Sequence, residues 1–495
     1  MPLHDDEMKK RREKREAQRK KQQAEARRLR LALIGAAMIL VLCGIGIFRL
    51  TRGIERPVKE DTPVVRETEA PTEAPANLPV VQEPITTIHI RAAGDLNVIN
   101  SVVESGLSAS GFDFNRAFMD VAAILSEADL TVMNMEGNFC GEPYGTQTSS
   151  APTELLRDLR GAGVDLLQVA NSCIINNGMI GMTSTLNAIR AAGIEPVGAY
   201  ANESELRQSK GYTITDVRGV KVAFVAFTKG LGGRGMPAGN ENLVNLLYED
   251  YATTYNKEDK DRITTILKNV ETEKPDITIA LVHWGSEYND DISSSQEYLV
   301  SLLKKNGVDV ILGSHSHTLQ SIDYDQLKGT LVAYSLGDFF GDAKRGATNY
   351  SIILDLEITK DTAAGITKVT DFSYTPIYTV TKGECPDGYQ RVVRIEKAIE
   401  AHTENYLDKV TVASKDSMLY ALQRIVERIA LKDTVKCPEC RKEVDVLVES
   451  KNDTLLYTVA CNNGKCEAEL PAGSSLQQVR PLYIPNSYSD AHWIH

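Results

Sequence analysis

Positive charge is in short supply in this 495-residue chain: 55 Lys and Arg stand against 67 Asp and Glu, a net of −12. Nonspecific nucleic-acid binding is driven by neutralising phosphates, so a chain this acidic is not read as a nucleic-acid binder. Cysteine is scarce too, with eight in all, which excludes a small disulfide scaffold. The 35 glycines and 18 prolines are far too few for a collagen-like chain. No long internal repeat is present. The glycine-rich stretch TKGLGGRGMPAGN at 228–240 is not followed by Gly-Lys-Ser/Thr, which excludes a Walker-type phosphate loop. What is present is ordinary globular composition, 42% hydrophobic and 25% charged, at a length that supports more than one core.

The charge is unevenly placed. Residues 1–30 hold 12 Lys and Arg against 6 Asp and Glu, so residues 31–495 carry −18. Directly after this basic head comes LALIGAAMILVLCGIGIF, eighteen uncharged residues closed by Arg49 and Arg52. That is about the shortest helix that spans a bilayer. Arg27, Arg28 and Arg30 crowd one end, and the positive-inside rule puts that end in the cytoplasm. The rival reading is a cleaved signal peptide, but the polar head is long for one and no small-x-small site follows Phe48. The expectation is therefore a basic cytoplasmic head at 1–30 and a single transmembrane anchor at 31–49, with everything later outside the cytoplasm. Residues 50–85 carry Pro57, Pro63, Pro71, Pro75, Pro79 and Pro84 among Glu, Thr and Val. Such a segment is too polar and proline-rich to bury a core and reads as an extended stalk.

From residue 86 short apolar runs alternate with amphipathic stretches. ITTIHIRAAGD, DLTVMNMEG, VDLLQVANS, ITIALVHWG, VDVILGSHSH and TLVAYSLGD read as strands; FNRAFMDVAAIL, TSTLNAIRAAG and SQEYLVSLLKKNG read as helices. Uniformly apolar, β-branched runs between helices indicate sheets covered on both faces, an α/β domain. Five of the runs end in residues that bind metals: Asp95, Glu136, Asn171, His283 and the pair His315 and His317. Ligands of α/β folds gather at the carboxyl ends of strands. A single carboxylate or histidine there is more often structural. Three of only eight histidines gathered with acids make a metal site the favoured reading.

Together AAGDLN, NMEGN, ANSCIINNG, LVHWGSEY, LGSHSHTLQ and YSLGDFF resemble the CapA capsule-biosynthesis family, whose members are similar to calcineurin-like metallophosphoesterases. The resemblance implies a layered β-sandwich flanked by helices over about 86–385. It also implies a two-metal, catalytic site in which Asp95 binds one ion, Glu136 bridges, Asn171 and His283 hold the second, and His315 and His317 complete the pair. Mixed oxygen and imidazole donors suit manganese, iron or zinc better than calcium. Trp284, Glu287 and Tyr288 follow His283 and are candidates for lining the substrate cleft, with packing beneath the loop the alternative for Trp284. Arg234, in the glycine-rich loop, is a candidate for reaching an anionic substrate. The chain also departs from the family. Ser172-Cys173 stands where Asn-His is usual, Asn176 where an acid is usual, and Asn97 where phosphoesterases often have His. The departures fall on the proton-transferring part of the site, and a thiol is a poor acid at neutral pH.

After an expected helical connector at 386–430, Cys437-Pro-Glu-Cys440 and the pair Cys461 and Cys466 resemble a zinc ribbon over 431–475, with structural zinc held by four thiolates. KEVDVLVESKNDTLLYTVA between them reads as two strands with a turn at Lys451–Asp453. Outside the cytoplasm the same cysteines can instead form two disulfides. Cys140 and Cys385 can pair as well, leaving Cys173 free. Residues 476–495 read as an extended tail. As a whole the resemblance implies a membrane-anchored protein in the synthesis, export or processing of an anionic capsule polymer such as poly-gamma-glutamate. A membrane-bound polymer ligase and a small membrane subunit are the implied partners. A metal-dependent phosphoesterase of surface substrates and a noncatalytic scaffold with a degenerate site are the alternatives.

Overall fold

The computed structural model describes residues 84–385, 388–403 and 410–429, and the backbone of residues 444–451 and 454–461. The basic head, the anchor, nearly all of the stalk, Cys437, Cys440, Cys466 and the tail lie outside the described residues. Among the described residues no helix is long and apolar enough to cross a membrane.

In chain order the strands are β1 (Ile85–Asn97), the short β2 (Leu107–Ser108) and β3 (Gly111–Phe112), β4 (Leu130–Glu136), β5 (Leu166–Gln168) and β6 (Glu195–Val197). Then come β7 (Thr213–Val217), β8 (Val220–Thr228), β9 (Ile277–His283), β10 (Val310–Ser314), β11 (Ile322–Asp325) and β12 (Thr330–Ala333). The last are β13 (Asp338–Phe340), β14 (Tyr350–Asp361), β15 (Ile366–Val380), β16 (Arg391–Arg394), β17 (Val444–Lys451) and β18 (Thr454–Cys461). One sheet runs β16-β15-β14-β1-β4-β5-β6, with β13 also paired to β1; the other runs β11-β12-β10-β9-β8-β7.

Period-two alternation explains the layering. In β8, Val222, Phe224 and Ala226 share a core with Ile277, Ile279 and Leu281 of β9 and with residues of the other sheet such as Ile90 and Val132. Ala223, Val225 and Phe227 face the opposite way. There they meet Ile263 and Leu267 of the helix Lys260–Thr272 and Leu299 and Leu303 of the helix Ser294–Lys305. The result is two sheets sharing one core with helices outside, the layered arrangement expected. Each fully buried Val, Leu or Phe contributes about 1.5–3 kcal/mol to it.

The sheets are mixed rather than parallel. β1, β4, β5 and β6 pair in parallel, as do β8, β9, β10 and β12. β14, β15 and β16 extend the first sheet as an antiparallel arm. Over residues 354–359 of β14 and 372–376 of β15, buried residues alternate with half-buried ones. The core also continues past residue 385, where the sequence reading ended the domain. β16 pairs with β15, and Ile395, Ile399, Leu422 and Ile425 of the following helices join the same core. Beyond it β17 and β18 pair antiparallel, from Val444 opposite Cys461 to Lys451 opposite Thr454, at the place predicted for the strands of the cysteine module.

Candidate metal centre

Parallel pairing brings the strand ends together. Asn97 lies opposite Glu136 across β1 and β4, and His283 opposite Thr228 and Ser314 across β8, β9 and β10. Two glycines allow the close approach that this needs. A Cβ on Gly94 would lie 1.8 Å from the Gly337 carbonyl oxygen, and one on Gly313 would lie 1.9 Å from that of Tyr334. Beyond Gly313 the chain turns sharply: His315 and His317 adopt φ of 91° and 57°, each costing about 1–3 kcal/mol for a side chain of this kind. That strain turns both imidazoles toward the carboxylates of the other sheet.

Asp95, Glu136, His283, His315 and His317 are all buried and meet in one cluster. One atom from each of Asp95, Glu136 and His317 lies within 4.8 Å of the others, and the same holds for Glu136, His283 and His315. Glu136 belongs to both groups, the place of a bridging carboxylate. His283 Nδ1 lies 3.4 Å from Glu136 Oε1 and 3.2 Å from Ser314 Oγ. The backbone N–H of His315 donates to Asp95 Oδ2 at 3.0 Å.

Asn171 reaches the cluster indirectly. Its Nδ2 donates to Asn134 Oδ1 (3.1 Å) and to the Met135 carbonyl (2.7 Å), while its Oδ1 accepts from the Cys173 N–H (3.1 Å). Tyr288 stacks on His317 with ring centroids 5.3 Å apart. Glu287 is exposed on the same loop. Arg234 is exposed in a loop that passes the Ser172 carbonyl. Trp284 is not at the cleft: strand alternation turns it away from His283 into the outer core, where it stacks on Tyr334 and donates its indole N–H to the Tyr334 carbonyl at 2.8 Å. This is the packing alternative.

Two further residues belong to the site and were not singled out in the sequence. Asp338 is buried and its Oδ1 lies 2.7 Å from His317 Nδ1. Carboxylate–histidine pairs of this sort orient a metal-binding ring. Its signal was the repetition of an apolar run ending in Gly-Asp, at 94–95 and again at 337–338. Asn134, two residues before Glu136 and on the same strand face, donates its Nδ2 to both Asp95 Oδ1 (2.7 Å) and Glu136 Oε1 (3.2 Å).

The electrostatics fit a cation. Burial pushes Asp95 up to about 6 and Glu136 well above the usual carboxylate range, against the pull of His317. Burial lowers His317, but Asp338, Glu136 and Asp95 outweigh it and hold it up at about 11. Burial depresses His283 strongly and His315 to about 3, with Lys229 adding to both. Three buried carboxylates thus face one imidazolium and two neutral imidazoles. His283 Nε2 and His315 Nδ1 are buried with no hydrogen-bond partner among the described residues. Lone pairs and excess negative charge left this way are what divalent ions satisfy.

Proton competition gives a sign. A metal must displace the His317 proton at any pH below about 11, the Asp95 proton as well below about 6, and the proton that burial favours on Glu136. Affinity measured with a competing chelator should therefore rise with pH throughout the range from 5 to 8, more steeply toward its acid end. A flat profile between pH 5 and 8 would remove these residues as the ligands.

Residues 89–343 match the family described as bacterial capsule synthesis protein PGA_cap. The capsule biosynthesis protein CapA of Bacillus anthracis is 30% identical over 193 residues, which is 39% of this chain and 44% of that protein. The PGA biosynthesis protein CapA of Bacillus subtilis strain 168 is 27% identical over 215 residues, 43% of this chain and 52% of that protein. The chain spans about half the length of these relatives.

Proposed function

The chain belongs to the bacterial capsule synthesis protein family PGA_cap, and from that premise we propose that it serves in the synthesis, export or processing of an anionic, poly-gamma-glutamate-like capsule polymer, through a two-metal pocket of metallophosphoesterase type. The observation that carries the reading is the buried cluster of Asp95, Glu136, His283, His315 and His317 with its two unpartnered imidazole nitrogens. Asp95, Glu136 and His317 would hold one ion; Glu136, His283 and His315 would hold the other. Manganese, iron or zinc suits these donors. When bound, such ions supply Lewis-acid polarisation of a substrate oxygen. The chain's own residues do the rest. Asp338 holds the His317 ring, Asn134 fixes both carboxylates, and the turn through Ser316 sets the two imidazoles.

The proposed setting is the outer face of the cell membrane, with the basic head in the cytoplasm and the stalk carrying the domain. A membrane-bound polymer ligase and a small membrane subunit are the proposed partners. The antiparallel pair β17–β18 between the two cysteine pairs supports a structural zinc at Cys437, Cys440, Cys461 and Cys466.

Cys173 favours handling of the polymer over phosphoester hydrolysis. Burial, with Glu136 adding, pushes its thiol up to about 12, and a group of that basicity protonates a leaving group poorly. The test is Asp95→Asn in the cell that makes the chain, with surface polymer quantified against the level of the protein itself. The expected result is a drop in polymer of at least about tenfold at unchanged protein level. Full polymer at the surface would sink the reading.

A further inference from the structure

Three cations surround the cluster in a chain that pairs its basic residues elsewhere, as Arg91 with Asp355, Arg190 with Glu205 and Arg428 with Asp290. Lys229 follows the last residue of β8; its N–H donates to the His283 carbonyl at 2.8 Å and its Nζ to the Gly285 carbonyl at 2.6 Å. Arg234 lies on the side of Ser172 and Cys173. Arg345 lies on the opposite loop, its guanidinium carbon 3.2 Å from the centroid of the Tyr288 ring. None of the three forms a close ion pair among the described residues, although Glu287 acts on Lys229 at longer range.

The Arg345 contact is built rather than incidental. Arg345, Tyr288 and His317 form a continuous stack rising from the metal cluster to the surface. Tyr288 reaches its place at φ 61°, in the left-handed region. That conformation is held by its N–H donating to the Ser316 carbonyl at 2.7 Å. It is also held from below by Gln320, whose buried Nε2 donates to the carbonyls of Asn289 (3.0 Å) and Asp291 (3.1 Å). Gln320 Oε1 in turn accepts from Gln296 Nε2 at 2.9 Å. A strained aromatic, braced by two buried glutamines, therefore serves as the platform of an exposed arginine. Stacking on an aromatic face pre-orders the planar guanidinium and leaves its N–H fork free for an oxyanion.

We propose that Arg345, on its Tyr288 platform, is the specificity-determining residue that grips a carboxylate or phosphate oxyanion of the substrate beside the metal cluster, with Lys229 and Arg234 closing the other sides of the mouth. This rests on the metal-pocket reading and adds to it the substrate's charge and where that charge sits. The cations also resolve an electrostatic difficulty, since an acidic body otherwise repels a polyanion.

The experiment uses the full chain, with metal content measured by elemental analysis and binding by calorimetry at low salt. Two probes separate the sources of the oxyanion: inorganic phosphate and glutarate. Arg345→Ala should weaken the better probe about tenfold or more, because a bidentate charge-assisted contact is lost. Arg345→Lys keeps charge without the fork and should recover only part of the affinity. Tyr288→Ala, which removes the platform, should weaken binding as well. A response to phosphate alone points to a phosphoester, and to glutarate alone, to a carboxylate polymer. Weakening in Arg345→Ala when the parent chain holds no metal sustains the grip and overturns the metal reading. Unchanged affinity in Arg345→Ala, or a metal-loaded parent that binds neither probe, overturns the grip and leaves the metal reading standing.

Discussion

Glu136→Gln is expected to strip the chain of both metal ions, while Asp95→Asn and His315→Ala each remove one. The reason is geometric: Glu136 is the residue common to the two groups, whereas Asp95 belongs to one and His315 to the other. Elemental analysis of the purified variants reads this directly. Stability gives a second, opposite-signed readout. A ligand that binds only the folded state adds about 2.7 kcal/mol at a hundred times its dissociation constant, so the parent's melting point should rise with added manganese or zinc and fall with chelator. Glu136→Gln should respond to neither. Without metal, however, the variant should be at least as stable as the parent. The parent carboxylate is buried beside Asp95 and Asp338 and is raised well above its ordinary range, chiefly by burial. A neutral amide of the same shape removes that burden, and its carbonyl can still accept from Asn134 Nδ2, as Glu136 Oε1 does at 3.2 Å. One ion remaining in Glu136→Gln would show that the two groups do not share this carboxylate.

Much of this arrangement was readable in the sequence because parallel strands end where their apolar runs end. Asp95, Glu136, His283 and the His315–His317 pair each close such a run, and pairing of the strands in register brings those ends to one place. Asp338 carries the same mark but partners a histidine, a relation that no spacing reveals until β13 lies beside β1 with Asp338 opposite Asp95. Trp284 shows a signal that was available: neighbours on a strand face opposite ways, so a residue adjacent to an inward His283 belongs to the outer core. The antiparallel arm was hidden for another reason. β14 and β15 alternate over part of their length and lack a polar strand-end residue at the cluster, and β14 draws its partner β1 from more than 250 positions away. Lys229 was not legible as a site residue at all. Charged loop residues resemble one another in sequence, and only the fold decides which of them stand at the pocket.

Gly94→Ala is expected to be among the most damaging single methyl groups that can be added near the site. Its Cβ would lie 1.8 Å from the Gly337 oxygen and 2.9 Å from the Gly337 carbonyl carbon. Both are backbone atoms, so no side-chain rotation relieves the overlap, and β1 and β13 must separate. That same carbonyl accepts the Asp95 N–H at 2.8 Å, and Asp338 is the next residue along the chain. Separation therefore breaks a buried hydrogen bond and moves Asp95 and the Asp338–His317 pair at once. The expected loss is about 3 kcal/mol or more in urea denaturation, from overpacking and a broken buried bond together. Gly161→Ala is the control. Gly161 ends the helix Glu154–Gly161, and its added Cβ would meet nothing within 4 Å. That substitution should be neutral or stabilising by up to about 1 kcal/mol. The comparison separates general intolerance of added side chains from the specific closeness of two strands. Where Gly94→Ala still folds, its metal affinity should fall together with its stability, because the strand contact and the ligand geometry are one feature. Parent-like stability and metal content in Gly94→Ala would mean that β1 and β13 do not approach as closely as described, and the placement of Asp95 beside the His315 turn would fall with it.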